Sequence, residues 1–316
     1  MLDNLIFSLN ATMPIFLMMV VGYVLKKIKW LDEKNTNVLN KLVFRVFLPA
    51  LLFTDLATKD FKALWDSSLV IFCAVVTLIS ILLAFLMSLL LKDKCDRGEF
   101  IQGSYRSAAA TLGIAFMANI YDNSSAVALM IIGSVPIYNI AAVLILSLTS
   151  PENHGKSKKD LLLSTLKSLI TNPIILGILV GFGFALLNLP KPVIFMKSVT
   201  YLGNVASPLA LIALGASFEF KNIKEKLWPV IMINVNKLFL FCILFLPVAI
   251  FLGFRDEKLV AALIMLGSGT TSSSFIMAKN MGHKGEISSS AVMTTTLFMS
   301  FSMTLWLFIL KTMGYI

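Results

Sequence analysis

The stretch Thr12-Met-Pro14-Ile15-Phe-Leu17-Met-Met-Val-Val21-Gly22 returns as Thr171-Asn-Pro173-Ile174-Ile-Leu176-Gly-Ile-Leu-Val180-Gly181, an offset of 159 residues. The same offset carries Pro49 onto Pro208 and Asp60-Phe61-Lys62 onto Glu219-Phe220-Lys221. It also carries Thr111 onto Thr270 and Phe116 onto Phe275. Chance can repeat one short apolar segment, but it does not hold a single register over four hydrophobic runs without a gap. The two halves of the chain are therefore read as a duplication.

Of the 316 residues, 58% are hydrophobic and 14% charged, and the mean hydropathy is +0.87. A soluble domain is about 45–50% apolar and about 25% charged, so the composition points to an all-α integral membrane protein. Apolar runs of about 20 residues, the length that crosses a hydrocarbon core, follow one another along nearly the whole chain. They predict ten spans, near 5–25, 36–57, 68–91, 101–120, 125–149, 166–188, 196–217, 230–252, 259–280 and 288–310. The first run ends in Lys26-Lys27 with no small-residue cleavage site, so it is expected to stay in the mature protein.

Loops following odd-numbered spans hold sixteen Lys and Arg residues and those on the other side seven. The positive-inside rule then predicts a multi-pass protein of the cell membrane with both termini outside the cytoplasm. This bias accounts for most of the net charge of +10, and no basic, aromatic-interleaved surface suggests nucleic acid as a partner. Cys73, Cys95 and Cys242 form no CxxC spacing, and His154 and His283 fall in predicted loops and are read as solvated, so no metal site is expected. The sequence holds no HExxH motif, GxSxG elbow or phosphate-cradling loop, and the expectation is that the protein is not an enzyme.

Five spans per half is an odd number, so the second half must enter the membrane from the opposite face. The predicted architecture is two inverted five-helix repeats, residues 1–149 and 162–316, joined by a hydrophilic cytoplasmic connector at 150–161. Inverted repeats underlie alternating access in many secondary transporters. Span four reads Gly103-Ser-Tyr-Arg-Ser-Ala-Ala-Ala-Thr-Leu-Gly113-Ile-Ala-Phe116, and span nine reads Gly267-Ser-Gly-Thr-Thr-Ser-Ser-Ser-Phe275. Small and hydroxylic residues at mid-membrane also serve tight helix packing. At two symmetry-related positions they predict broken helices that cross at the midplane, with half-helix N-termini facing an anion.

Lys41 and Arg45, spaced to share a helical face with Asn37, are read as snorkelling to the headgroups, and Lys237 in span eight likewise. Arg106 either snorkels or lines an anion path. Asn139 and Asn204 are read as interhelical glue, with Asn139 also a candidate to bind a carboxylate. The substrate-binding candidates are Arg106, Thr111, Leu112, Gly113 and Asn139 from the first half. Gly269, Thr270, Thr271, Ser272 and Ser273 come from the second.

Four further segments carry a family likeness: Leu48-Pro-Ala-Leu-Leu-Phe53, Gly113-Ile-Ala-Phe116, Pro208-Leu-Ala-Leu-Ile-Ala-Leu-Gly-Ala-Ser217 and Ala278-Lys-Asn-Met-Gly282. In them the chain resembles, over nearly its full length, the auxin efflux carrier family, which includes plant PIN-FORMED proteins and bacterial permeases for malate-like and malonate-like acids. The resemblance implies a fold like that of bile-acid/sodium symporters. Spans 1, 2, 6 and 7 would form a scaffold and spans 3, 4, 5, 8, 9 and 10 a moving core, with homodimerisation through the scaffold. The chain departs from the family's pattern at Ala108, Ala110 and Ala115, where an Asn, a Gly and a Pro are usual. It departs again at Gly269 and Ser272 to Ser274, near where span nine usually carries proline. The expected function is an elevator-type secondary transporter of a small organic anion such as a carboxylate. The alternatives are a sodium- or proton-translocating carrier and a passive anion channel. No cofactor is expected, and sodium or a proton is left open as a coupling ion.

Overall fold

The computed structural model describes residues 2–58, 66–109, 117, 120–121, 125–151, 158–187, 189–218 and 226–316, and their regular structure is helical. Helix α1 spans Leu2–Lys27. Helix α2, Glu33–Leu42, passes through a π-helical turn at Val43–Phe47 into α3, Leu48–Ala57. Next come α4, Ser67–Ser88, α5, Arg97–Tyr105, and α6, Ser125–Thr149. The second half holds α7, Lys158–Ile170, α8, Pro173–Leu186, and α9, Val193–Ser217. Helix α10, Leu227–Val235, runs through a second π-helical turn at Asn236–Leu240 into α11, Phe241–Phe251. Last come α12, Asp256–Gly267, α13, Ser272–Asn280, and α14, Glu286–Thr312.

Among the described residues, seven helical stretches are long and apolar enough to cross a membrane, from Glu33–Ala57 to Glu286–Thr312. Helix starts follow local chemistry. Asp66 accepts hydrogen bonds from the backbone N–H groups of Ser68 and Leu69 at 2.9 and 3.4 Å, satisfying donors that the first turn of α4 would otherwise leave open. Asn172 caps α8 in the same way, bonding Ile174 N at 2.9 Å with Pro173 in the first turn. That cap divides the predicted sixth span. The sequence carried the signal, Asn before Pro, but the apolar run on either side concealed it.

Helix α3 packs on α8 and α9, and α1 packs on α9 and also on α14, while α4, α5, α6 and α10 to α14 form a second group. Two glycines show how close the first group is. A Cβ on Gly22 would overlap the carbonyl of Ile212, and one on Gly181 would lie 2.9 Å from that of Phe53. Only a residue without a side chain permits either approach. Gly22 and Gly181 are offset partners, and so are Phe53 and Ile212. The α1–α9 and α3–α8 contacts are thus the same contact made twice, with the halves exchanged.

Candidate functional site

Helix α5 stops at Tyr105 and α12 at Gly267, and the chain at each stop turns extended, with Arg106 at φ −72°, ψ 129° and Ser268 at φ −72°, ψ 153°. The two extended segments cross and bond to each other. Ala108 N donates to Gly269 O at 2.8 Å, Thr270 Oγ1 donates to Gly103 O at 2.8 Å, and Gln102 Nε2 donates to Ser274 O at 2.9 Å. Thr270 N is taken by Thr295 Oγ1 of α14 at 2.9 Å. Backbone groups released by a helix break at membrane depth must find such partners within the protein. The small and hydroxylic residues read from the sequence supply them and leave room for the approach. A Cβ on Gly269 would sit 3.2 Å from Thr296 N.

Arg106 comes directly after the end of α5 and is only 3% exposed, so it does not snorkel. Its Nη2 donates to Asn139 Oδ1 and to Ser273 Oγ, each at 2.9 Å. Asn139 is held in turn by its own Nδ2, which donates to Val135 O at 2.9 Å. Both of these partners are neutral, so they orient the guanidinium without cancelling its charge.

The group opens on a small cavity of about 50 Å³. Arg106, Asn139, Thr271, Ser272 and Ser273 line one side of it. Asp55 of α3, Ser207 of α9 and the apolar residues Leu48, Leu51 and Leu52 line the other. Helix α13 begins at this cavity, and its N-cap residue Thr271 makes no side-chain capping bond. The positive end of the helix therefore adds to the field of Arg106.

A second, more polar cavity of about 300 Å³ lies between the two helix groups near the other end of α13. Its walls include Lys26, Glu33 and Asn37 on one side and Lys279, Lys284 and Glu286 on the other.

Of the sequence candidates, Arg106, Asn139, Thr271, Ser272 and Ser273 meet at the smaller cavity. Gly269 and Thr270 belong to the crossing itself and bond α14 and α5. Thr111, Leu112 and Gly113 lie outside the described residues, as does His154.

Three other readings are corrected. Lys237 does not snorkel: it is 1% exposed, and its Nζ donates to Tyr105 O at 3.4 Å and Met265 O at 3.2 Å. The π-helical turn at Asn236–Leu240 adds a residue to the turn and rotates α11 by about 100° relative to α10, which a regular helical wheel does not anticipate. His283 is buried rather than solvated, its Nε2 within 3.0 Å of Leu146 O. Asn204 is exposed on the surface of the chain rather than packed between its helices. Lys41 and Arg45 are exposed on the surface of the chain.

Glu99, just ahead of the predicted fourth span, escaped the sequence reading. It is 3% exposed and accepts from Gly285 N at 2.8 Å and Ser288 N at 2.9 Å, capping α14 from a neighbouring helix.

The model of the family described as "Membrane transport protein" matches residues 7–307. The chain belongs to that family. It is the auxin efflux-like group that the sequence motifs resemble. This membrane transport protein is also similar, at 21% identity over 305 residues covering 95% of it and 97% of the relative, to an uncharacterized transporter of Methanothermobacter thermautotrophicus. Among solved structures it is similar to the sodium proton antiporter MjNhaP1 from Methanocaldococcus jannaschii at pH 8, with a TM-score of 0.60 and 14% identity. That likeness covers 96% of each chain and speaks for the fold alone.

Proposed function

We propose that this membrane transport protein is a secondary transporter of a small organic anion such as a carboxylate. The observation that carries the reading is the convergence of a buried Arg106 with the N-terminus of α13 on one cavity between the two helix groups. A carboxylate is planar and accepts paired hydrogen bonds, which a guanidinium fork supplies. Asn139, Thr271 and Ser273 add neutral donors that need no counter-charge. At about 50 Å³ the cavity has room for little more than one or two waters, so a substrate would enter only when one helix group moves against the other.

That movement fits an elevator. In this reading the chain makes ten spans as two inverted repeats, with α5 and the segment after it forming one broken crossover and α12 with α13 the other. The exchanged contacts Gly22–Ile212 and Gly181–Phe53 support it, since a pseudo-twofold axis produces paired contacts of this kind. Helices α1 to α3 and α7 to α9 would form the scaffold, and the rest the moving core. A homodimer through the scaffold, surrounding lipid, and both termini outside the cytoplasm complete the proposal, the last from the distribution of Lys and Arg.

Purified protein in liposomes, preloaded with a panel of mono- and dicarboxylates, tests the reading by counterflow of labelled acid. Saturable, counter-substrate-stimulated uptake is expected. Absence of flux for every acid under ion gradients and imposed potential would remove the anion assignment, and unsaturable flux would make the protein a channel.

A further inference from the structure

Lys237 has no place in the anion site, since it does not line the cavity, yet it is among the most deeply buried large side chains of the molecule. Its ammonium lies between the last carbonyl of α5, Tyr105 O, at 3.4 Å and the carbonyl of Met265, near the end of α12, at 3.2 Å. The second of these is open because of the helix break. In an unbroken helix Met265 O would accept from Gly269 N, but that N–H turns instead to Met299 Sδ at 3.1 Å. Lys237 thus bridges the negative ends of both interrupted helices with one charge.

The buried charged residues among those described are Glu99, Arg106 and Lys237. Glu99 is committed to the N–H groups of Gly285 and Ser288. The ammonium is therefore met at the crossing by backbone carbonyls rather than by an acid.

In secondary transporters with broken helices, unwound carbonyls and half-helix C-termini are the groups that coordinate a coupling sodium ion. We infer that the Lys237 ammonium is a built-in cation standing where such an ion would bind, so that the crossing is complete, and the carrier works, without sodium. A tethered ammonium is present at all times, in contrast to an ion that must bind and leave on every cycle. It removes the sodium requirement together with the energy a sodium gradient could supply.

The test begins with the wild-type protein in detergent, melted in sodium, potassium and choline chloride at equal ionic strength. The three melting temperatures should agree within about 1 °C, and a saturable rise specific to sodium would overturn the inference. Lys237→Ala opens space and uncovers both carbonyls. It should melt lower by about 5 °C or more and regain at least half of that loss in sodium chloride or ethylamine hydrochloride, but not in choline chloride. A folded Lys237→Ala that no small cation restores would refute the proposal.

Lys237→Met fills the space without charge. It should lose as much stability and regain none, whereas wild-type stability would show that the charge is not needed. If Lys237→Ala fails to fold, the wild-type and Lys237→Met melts still decide. These melts stand apart from the transport assignment, because they require no substrate. The transport arm rests on that assignment: counterflow by wild-type protein should be equal in sodium-free and sodium-containing liposomes, and flux that needs sodium would exclude the built-in cation.

Discussion

Arg106 shows how much a single side chain can carry when its neighbours hold it still. Asn139 and Ser273 each accept from its guanidinium at 2.9 Å, so the charge is oriented before any substrate arrives. Arg106→Gln removes charge-assisted hydrogen bonds worth about 1.5–3 kcal/mol each. Transport efficiency in liposomes should fall by about 10- to 150-fold, and a loss under threefold would move the anion site elsewhere. Arg106→Lys keeps the charge but not the planar fork, so KM should rise with Vmax less affected. Thr271 lines the cavity and its Oγ1 lies 3.2 Å from Ser273 Oγ. Thr271→Leu fills that space and should abolish counterflow while moving the melting temperature by no more than about 3 °C. Unchanged transport would place the substrate away from α13.

At the scale of the element, the helices are started by carboxylates from near and far. Asp66 caps α4 and also pairs with Lys258 at the start of α12, tying the two helices together outside the membrane. Lys258 first, then the Ser68 hydroxyl, hold its carboxyl well below the usual carboxylate range. A depressed acid stabilises the fold above its unfolded value, about pH 4, and that contribution is lost as pH falls toward the folded value. Asp66→Ala should cost about 1 kcal/mol at neutral pH, since the ion pair is partly exposed and adds little. The gap between variant and wild-type melting temperatures should stay constant from pH 6 to about pH 4 and narrow as melts are repeated at lower pH. Glu99 does the same service for α14 from inside the protein, where Gly285 offers no side chain. Glu99→Ala leaves two buried N–H groups open and should cost about 2–4 kcal/mol, read as a lower melting temperature and faster proteolysis between α13 and α14.

For the whole molecule, the two cavities mark the seam between helix groups, one at the crossing and one between α2 and the far end of α13. An elevator requires that seam to slide. Asn37 and Lys279 face the larger cavity from opposite groups, away from Arg106. With Cys95 replaced by Ser, Asn37→Cys combined with Lys279→Cys should transport normally when reduced and stop when joined by a short bifunctional thiol reagent. Continued counterflow after complete cross-linking would exclude sliding at this seam. Gly22→Leu and Gly181→Leu should both destabilise the protein in thermal melts, Gly22→Leu by more, because a Cβ on Gly22 overlaps the Ile212 carbonyl while one on Gly181 lies 2.9 Å from that of Phe53.

Hydropathy, repetition and helix-breaking composition are sequence properties, and they were enough to read a helical membrane protein, a duplication and interruptions within the stretches Gly103 to Phe116 and Gly267 to Phe275. Arg106, Asn139 and Thr271 to Ser273 could be singled out because charge, amide and hydroxyl groups are conspicuous in apolar runs. Other assignments depended on what covers a helix face, which an apolar sequence does not encode, since lipid and protein satisfy it equally. Lys237 reads as a snorkelling lysine until a π-helical turn and two broken helices enclose it. His283 reads as solvated until α6 lies over it. Chain composition determined where helices form and where they fail; only the packing of distant segments decided which charges are buried, and what they hold.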